Sequence, residues 1–429
     1  MSQQAHSPSN GDQLFSTASS NVSNGDQSIC DRATVNNLLD RKINKDSLPS
    51  LAERIEASCV LTAVGDAIGY RNGTWEFNFS GERIHKELKD EFGGKIANID
   101  TKTWKVSDDT IFHLATLKTL THKDLNQILT PKLSIGFKDE GFMELVDKIM
   151  VVMVQEYVAC WKDMGDRSPG KKCRDSINYI KQTRKNKWDS LNYDSRGGGC
   201  GGSMRAMSIG LAFHDNLDLL IAIGIESGRL THNHVVGFMG ALQSALFASF
   251  AIKQIEPKLW GYLVLEFILP KCRYYLKSVS KRNWKSIEPD LKAFEEKFKK
   301  YLGERGILSF TDENIEAIKP QFPEKYGVIE RDKYYKSYSF SGWAGSSGDD
   351  SIIVAYDALL SSGPNQYEQL VKRACLHGGD SDTTGAIALN WYGALYGFSN
   401  VYEKNYENIE KLSSLKLQAR KVLEKIEMN

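Results

Sequence analysis

The chain has 429 residues and a formal charge of +1, from 55 Lys and Arg against 54 Asp and Glu. That balance gives neither a basic footprint for nucleic acid nor an acidic tail, and the length suffices for a large core in one domain or two. Seven cysteines, at 30, 59, 160, 173, 200, 272 and 375, form no paired CxxC motif, which suits reduced thiols in an intracellular protein better than a disulfide scaffold. No leader with a basic and then an apolar region opens the chain, and no later run reads as a membrane span, so the expectation is a cytoplasmic protein.

Residues 1–50 are rich in Ser, Asn, Gln and Asp and read as a disordered N-terminal extension, with a short helix or loop over 31–50. The folded domain is expected over 51–429. Residues 51–64 have helical periodicity and run into Gly65-Asp66-Ala67-Ile68-Gly69, where small side chains permit close backbone approach. Asp66, the charge in that segment, reads as support for a site or as a buried partner for another helix. Arg71-Asn72-Gly73-Thr74 reads as a loop. Glu76 follows between Trp75 and Phe77, either solvated or gripping a cationic ligand.

Ser107-Asp108-Asp109-Thr110 then caps a helix whose apolar face is Ile111, Phe112, Leu114, Ala115, Leu117 and Leu120. A linking helix over 121–129 and a longer one over 139–162 come next. Residues 163–202 read as loop, ending in Gly197-Gly198-Gly199-Cys200-Gly201-Gly202. Those glycines are a poor helix interior, and their N–H groups suit an anion or an ordinary turn. Helices are predicted over 204–213 and 218–228, and Thr231-His232-Asn233-His234 reads as a cap in front of a long apolar helix over 235–252. The basic stripe from Lys271 to Lys285 is interleaved downstream with acids and reads as a solvated helical face. Residues 306–338 read as an extended connection. The loop Ser339–Asp350 is rich in glycine and hydroxyls, and the last helices are expected over 352–359, 366–376, 384–396 and 408–426. With few strand patterns the body is all-α.

A second acidic stretch, Asp380-Ser381-Asp382-Thr383, also opens a helix. One such stretch is an ordinary N-cap. Two, offering four carboxylates and adjacent hydroxyls, match the all-oxygen donor set of Mg2+, and a packed interior tolerates them together only with cations.

The ordered set Gly65–Gly69, Asn72–Glu76, Val106–Thr110, Gly198–Gly201, Met204–Met207, Glu226–Arg229 and His377–Thr384 resembles the ADP-ribosylglycohydrolase family, over about residues 55 to 400. It is most similar to the branch that releases ADP-ribose from arginine. The resemblance implies a single orthogonal helical domain around two Mg2+ ions, with Ser107, Asp108 and Asp109 on one side and Asp380, Asp382 and Thr383 on the other. It further implies catalytic roles for Asp109, Asp108 and Glu76, the last near the leaving group beside Asn72, Gly73 and Trp75. By the same match Ser195, Gly198, Gly199, Cys200 and Gly201 meet the phosphates, and Phe340, Gly342, Gly345, Ser346 and Ser347 the adenosine end. Phe340 stands where that branch often has Tyr, and Asp349 where it tends to have His. The implied reaction is Mg2+-dependent hydrolysis of the bond between ADP-ribose and protein arginine by a monomer whose partners are ADP-ribosylated proteins. Hydrolysis of another conjugate, such as ADP-ribosylserine, and a non-catalytic ADP-ribose-binding role are the alternatives.

Overall fold

The computed structural model describes residues 41–43, 48–126, 134–182, 188–311 and 313–427. Most of the expected N-terminal extension lies outside them. Helix α1, Leu51–Tyr70, starts at Ser50, whose hydroxyl accepts from the Glu53 N–H at 3.2 Å, and stops where Arg71 turns left-handed at φ 41°. Gly81–Phe92 (α2), Asp108–Leu120 (α3), Phe142–Cys160 (α4) and Lys171–Gln182 (α5) follow. Met207–Ala212 (α6), Leu217–Arg229 (α7), Val235–Ile252 (α8) and Trp284–Glu304 (α9) form the middle of the chain. Val328–Tyr338 (α10), Gly348–Ser362 (α11), Tyr367–Ala374 (α12), Ser381–Tyr396 (α13) and Leu412–Glu427 (α14) complete it. Among the described residues the β-type contacts are isolated bridges, Lys42–Ile255, Gly199–Ser347 and Ala344–Gly379, so this is one large helical domain.

The closest packing joins the first helix to the penultimate one. Cβ atoms added at Gly65 and Gly69 would lie 2.2 Å from Gly385 O and 2.3 Å from Ser381 O, and one added at Gly393 would lie 2.5 Å from Ser58 N. Rising numbers on α1 meet falling numbers on α13, so the two helices run antiparallel with backbones nearly touching. Asn390 Nδ2 reinforces the seam by donating to Thr62 Oγ1 at 2.9 Å, and Ser381 Oγ donates to Gly69 O at 3.0 Å. The seam sets the start of α13, with its acidic stretch, against the end of α1.

Helix α8 is long and apolar enough to cross a membrane by length and composition, a property the sequence reading assigned to no run. Its surroundings are protein. Phe247 at its centre packs against Tyr356 at 4.8 Å, Trp391 at 5.1 Å and Trp260 at 5.2 Å between ring centroids, and nearly all of its residues are buried.

Three helices lie where the sequence reading placed none. In α10, inside the expected extended connection, the inward positions are Arg331, Tyr335 and Tyr338, a helical spacing hidden because none is aliphatic. In α2 the buried side chains are just Ile84 and Leu88 beside Gly81. Helix α5 lies within the expected loop and turns Cys173, Ser176, Ile177 and Ile180 inward. The linking helix is observed over Lys123–Asn126, and the rest of its expected span lies outside the described residues.

Gly65→Val tests the seam. The added side chain forces α1 and α13 apart, and overpacking of this kind costs about 1–3 kcal/mol or more. A urea titration is expected to show a midpoint well below that of the parent protein, whereas an unchanged midpoint rejects the close approach.

Candidate active site

The site grows from the end of α1. The buried carboxylate of Asp66 accepts from the Ser107 N–H at 2.9 Å with Oδ1, and from the Thr110 N–H at 3.0 Å and the Thr110 hydroxyl with Oδ2. Two otherwise orphaned donors at the start of α3 are thereby satisfied from another helix. Ser107 is the N-cap, its Oγ accepting from Asp109 N at 3.2 Å. Asp66 thus fixes the orientation of the first acidic stretch, the support role anticipated for it.

The second stretch is placed by backbone pairing around Gly379. Gly379 O accepts from the Phe77 N–H at 2.7 Å, and Asp380 N donates to Ala344 O at 2.8 Å. Gly379 has φ 155°, and a Cβ there would sit 2.2 Å from Ala344 O, so only glycine fits. This brings the loop after Glu76, the loop at Ala344 and the start of α13 to one point. Carboxylate oxygens of Glu76, Asp380 and Asp382 all lie within 4.8 Å of one another. The first stretch adjoins them, because Thr383 Oγ1 donates to Asp109 Oδ2 at 3.0 Å. Asp108, Asp109, Asp380, Asp382 and Thr383 are buried, and Ser107 is fully enclosed.

Charge decides what this cluster can hold. Burial, and then Asp382, push the carboxyls of Asp108, Asp109 and Asp380 well above the carboxylate range, and burial raises Asp382 as well. Burial and Asp382 likewise lift Glu76 to about 11 and Asp66 to about 7. Two unit charges 4 Å apart repel by about 4 kcal/mol at an effective dielectric of 20. The N-termini of α3 and α13 both face the cluster, but a helix dipole returns about 0.3–1 kcal/mol. Two dipoles therefore fall short, and a cation held at this cluster would supply the missing positive charge. The donors are all oxygen, as a hard cation requires. The geometry thus fits one metal-binding cluster, and it includes Glu76, which the sequence reading had set at the leaving group.

The glycine run forms one wall. Gly199 pairs with Ser347, Cys200 N donates to Ser346 O at 3.0 Å, and Gly348 N donates to Gly198 O at 2.9 Å. The two glycine-bearing loops therefore lie side by side, with Gly345, Ser346 and Ser347 opposite Gly198 and Gly199. A Cβ at Gly201 would meet His232 Cε1 at 2.5 Å, so that histidine backs the wall. His234 caps α8, its Nδ1 accepting from Val236 N at 3.3 Å, the cap expected in front of that helix.

Other candidate residues are set further out. Asn72, in left-handed backbone at φ 53°, accepts from Lys105 N at 2.8 Å through Oδ1, and Gly73 follows at φ 82°. Trp75 is fully buried. Its Nε1 donates to Glu87 Oε2 at 2.8 Å and the Arg71 guanidinium stacks on its ring at 4.4 Å, so it anchors the Glu76 loop from beneath. Ser195 lines a separate cavity of about 440 Å³ with Lys172, Tyr193, Asp194 and Asn233. Phe340 is 95% exposed, and Gly342 beside it has φ 82°. Asp349 accepts from Lys297 Nζ at 2.6 Å, which balances the negative charge that its position brings to this loop.

Sequence reasoning missed an aromatic rim. Trp343 packs edge-to-face on Phe77 at 5.4 Å and against Phe79 at 4.2 Å, joining the Glu76 loop to the loop before α11. The alternation of Trp75, Phe77 and Phe79 was the available signal.

The raised carboxyls make stability depend on pH and on metal together. Asp66 holds its proton more tightly in the folded chain, so without metal its contribution to stability is lost as pH rises from 3.8 towards about 7. The increase in thermal midpoint on adding Mg2+ to chelator-treated protein is therefore expected to grow over that range. An increment independent of pH rejects the crowded-carboxylate account.

Comparisons with known proteins identify the family of this chain. The ADP-ribosylglycohydrolase family model matches residues 47–429. An ADP-ribosylhydrolase ARH1 of Dictyostelium discoideum is 40% identical over 404 residues, covering 90% of this chain and 98% of that protein. An Acanthamoeba polyphaga mimivirus protein named as an ADP-ribosyl glycohydrolase is 30% identical over 342 residues, covering 77% of this chain and 62% of its own. A solved structure described as an ADP-ribosylglycohydrolase-related protein complex superposes with TM-score 0.50 at 16% identity, covering 88% of this chain and 99% of that one, a likeness of fold. The chain belongs to the ADP-ribosylglycohydrolase family, the hydrolases of ADP-ribosyl conjugates.

Proposed function

We propose that this enzyme hydrolyses the N-glycosidic bond between ADP-ribose and arginine side chains of proteins, reversing mono-ADP-ribosylation. The observation that supports this reading most is the meeting of Glu76 with Asp380 and Asp382 beside two glycine-bearing loops. Resemblance to the arginine-directed branch at Asn72, Gly73, Trp75 and Glu76 points to the linkage, and the extent of similarity to the Dictyostelium protein agrees with it.

In this reading Ser107, Asp108 and Asp109 on one side and Asp380, Asp382 and Thr383 on the other would hold two Mg2+ ions, which would supply Lewis acidity towards water and a positive charge for the hydroxyls of the terminal ribose. Asp109 takes the proton from the attacking water, and Asp108 holds charge beside it. Glu76, though within reach of Asp380 and Asp382, is kept in this reading for the guanidinium of the leaving arginine, whose planar fork suits a carboxylate. Asn72, Gly73 and the Trp75 anchor shape the leaving-group end. The wall of Gly198, Gly199, Cys200 and Gly201 faces the diphosphate, with Cys200 N already bonded to Ser346 O and Ser195 set apart in its own cavity. Phe340 stacks on the base, while Gly342, Gly345, Ser346 and Ser347 enclose the adenosine. The buried members of this set, Asp108, Asp109, Asp380 and Asp382, gain chiefly by positioning.

The reading is tested by time-resolved release of ADP-ribose from matched arginine-linked and serine-linked peptides, with Mg2+ and with chelator. Release from arginine that requires Mg2+ is expected. Release from serine alone makes the enzyme a hydrolase of that conjugate, and ADP-ribose binding without any release makes it a reader.

Two sets of variants assign the roles. Asp109→Ala and Asp382→Ala are expected to remain folded in metal-free buffer and to lose on the order of 100-fold or more in turnover, and normal turnover by either removes it from the mechanism. Glu76→Ala is expected to slow release from arginine more than from a small alternative conjugate. Equal losses on both substrates remove Glu76 from recognition of the leaving group.

A further inference from the structure

The aromatic rim beside the acid cluster joins exposure to rigidity. Phe77 is 42% and Phe79 73% exposed, and both rings pack on the half-buried Trp343, at 5.4 and 4.2 Å between centroids. Apolar side chains scattered singly on a surface are ordinary, whereas contiguous exposed rings mark a place where another molecule is received. These rings stand on backbone that is tied down. Phe79 O accepts from Lys336 Nζ at 2.7 Å, and the Asp332 carboxylate accepts from Gly81 N at 2.7 Å and from Gly378 N at 3.2 Å. Phe77, whose N–H donates to Gly379 O, is held in left-handed backbone at φ 51°, a conformation that a bulky residue adopts only where its surroundings impose it. A ring fixed in advance loses little freedom when it is covered, as a binding surface requires.

The position of the rim says what covers it. Phe77 directly follows Glu76, whose carboxylate lies within 4.8 Å of those of Asp380 and Asp382. An arginine whose guanidinium reaches Glu76 carries its own polypeptide past the next residues of the same loop. The ADP-ribose half of the substrate is already assigned to the acid cluster and the glycine-bearing loops, which leaves the polypeptide half for the rim.

We propose that Phe77, Phe79 and Trp343 receive apolar side chains that flank the modified arginine in the protein substrate, so that the enzyme favours arginines with an apolar neighbour. The inference rests on the arginine-directed reading of the site and adds the sequence context which that site selects. The rings act through buried apolar area, so the preference lies in binding and leaves bond cleavage untouched.

The test gives the full chain, with Mg2+, three substrates: free ADP-ribosylarginine, and two arginine-ADP-ribosylated peptides that carry either leucine or serine on both sides of the arginine. The unmodified protein is expected to show a kcat/KM on the order of 10-fold higher for the leucine peptide, through KM and not kcat. Phe79→Ser is expected to bring that ratio close to one and to leave hydrolysis of free ADP-ribosylarginine unchanged, while Phe79→Tyr keeps the ratio. A ratio near one in the unmodified protein, or a ratio that survives in Phe79→Ser, overturns the proposal. Product inhibition by ADP-ribose that weakens in Phe79→Ser as much as binding of the leucine peptide assigns the rim to the adenosine end and overturns it too. The comparison of the two peptides requires no variant, so it decides even where a substitution prevents folding. Hydrolysis of free ADP-ribosylarginine without any preference for leucine removes this inference alone. Failure to hydrolyse any of the three removes the arginine-directed reading beneath it.

Discussion

Everything at the site depends on how closely α1 approaches α13. With no side chain at Gly65, Gly69 or Gly385, the two backbones come into contact, and Gly393 admits Ser58 in the same way. An alanine at any of these positions would hold the helices apart by more than the reach of a hydrogen bond can absorb. Because α1 carries Asp66 and α13 follows Asp380, this seam determines whether the two acidic stretches face each other or miss. Asp66 then transmits the position of α1 to α3 through the Ser107 and Thr110 amides. The placement of the functional oxygens is thus a packing result before it is an electrostatic one.

Electrostatics oppose that result. Carboxylates are crowded where water is excluded, and the helix N-termini aimed at them return too little to offset the repulsion. The same crowding would favour a doubly charged ion over a singly charged one at this cluster. Groups that shape the surrounding cleft are held independently. Trp75 is anchored to Glu87 and Arg71, Asp349 is balanced by Lys297, and the glycine run is stitched to Ser346 and Ser347. Each loop therefore has its own fastening, and the cluster sits where the fastened loops meet.

Much of this was legible in the sequence. The helices with aliphatic inward faces, α1, α3, α4, α7 and α8, follow from periodicity, and a cap within Ser107–Asp109 follows from residue type, with the structure choosing Ser107. The conjunction of two acidic helix starts announced a hard-metal site, and Asp66 stood out as a charge among small residues. Helices α2, α5 and α10 were missed because their buried positions use few aliphatics, with Arg331, Tyr335 and Tyr338 doing that work in α10. The metal-binding group as observed joins Glu76 to the second stretch. No spacing rule predicts that, because it arises from the hydrogen bond between Phe77 N and Gly379 O, a pairing of loops far apart in the chain.

The seam between α1 and α13 also has a consequence in time. During synthesis α1 emerges long before α13, and elements that wait for distant partners fold slowly and expose apolar surface meanwhile. Helix α1 is buried along most of its length and on nearly every side, so a ribosome-bound chain that has not yet reached Asp380 presents it without its principal neighbour. Until Asp380 and α13 have been made, that apolar surface stays without its partner and the acid cluster cannot assemble.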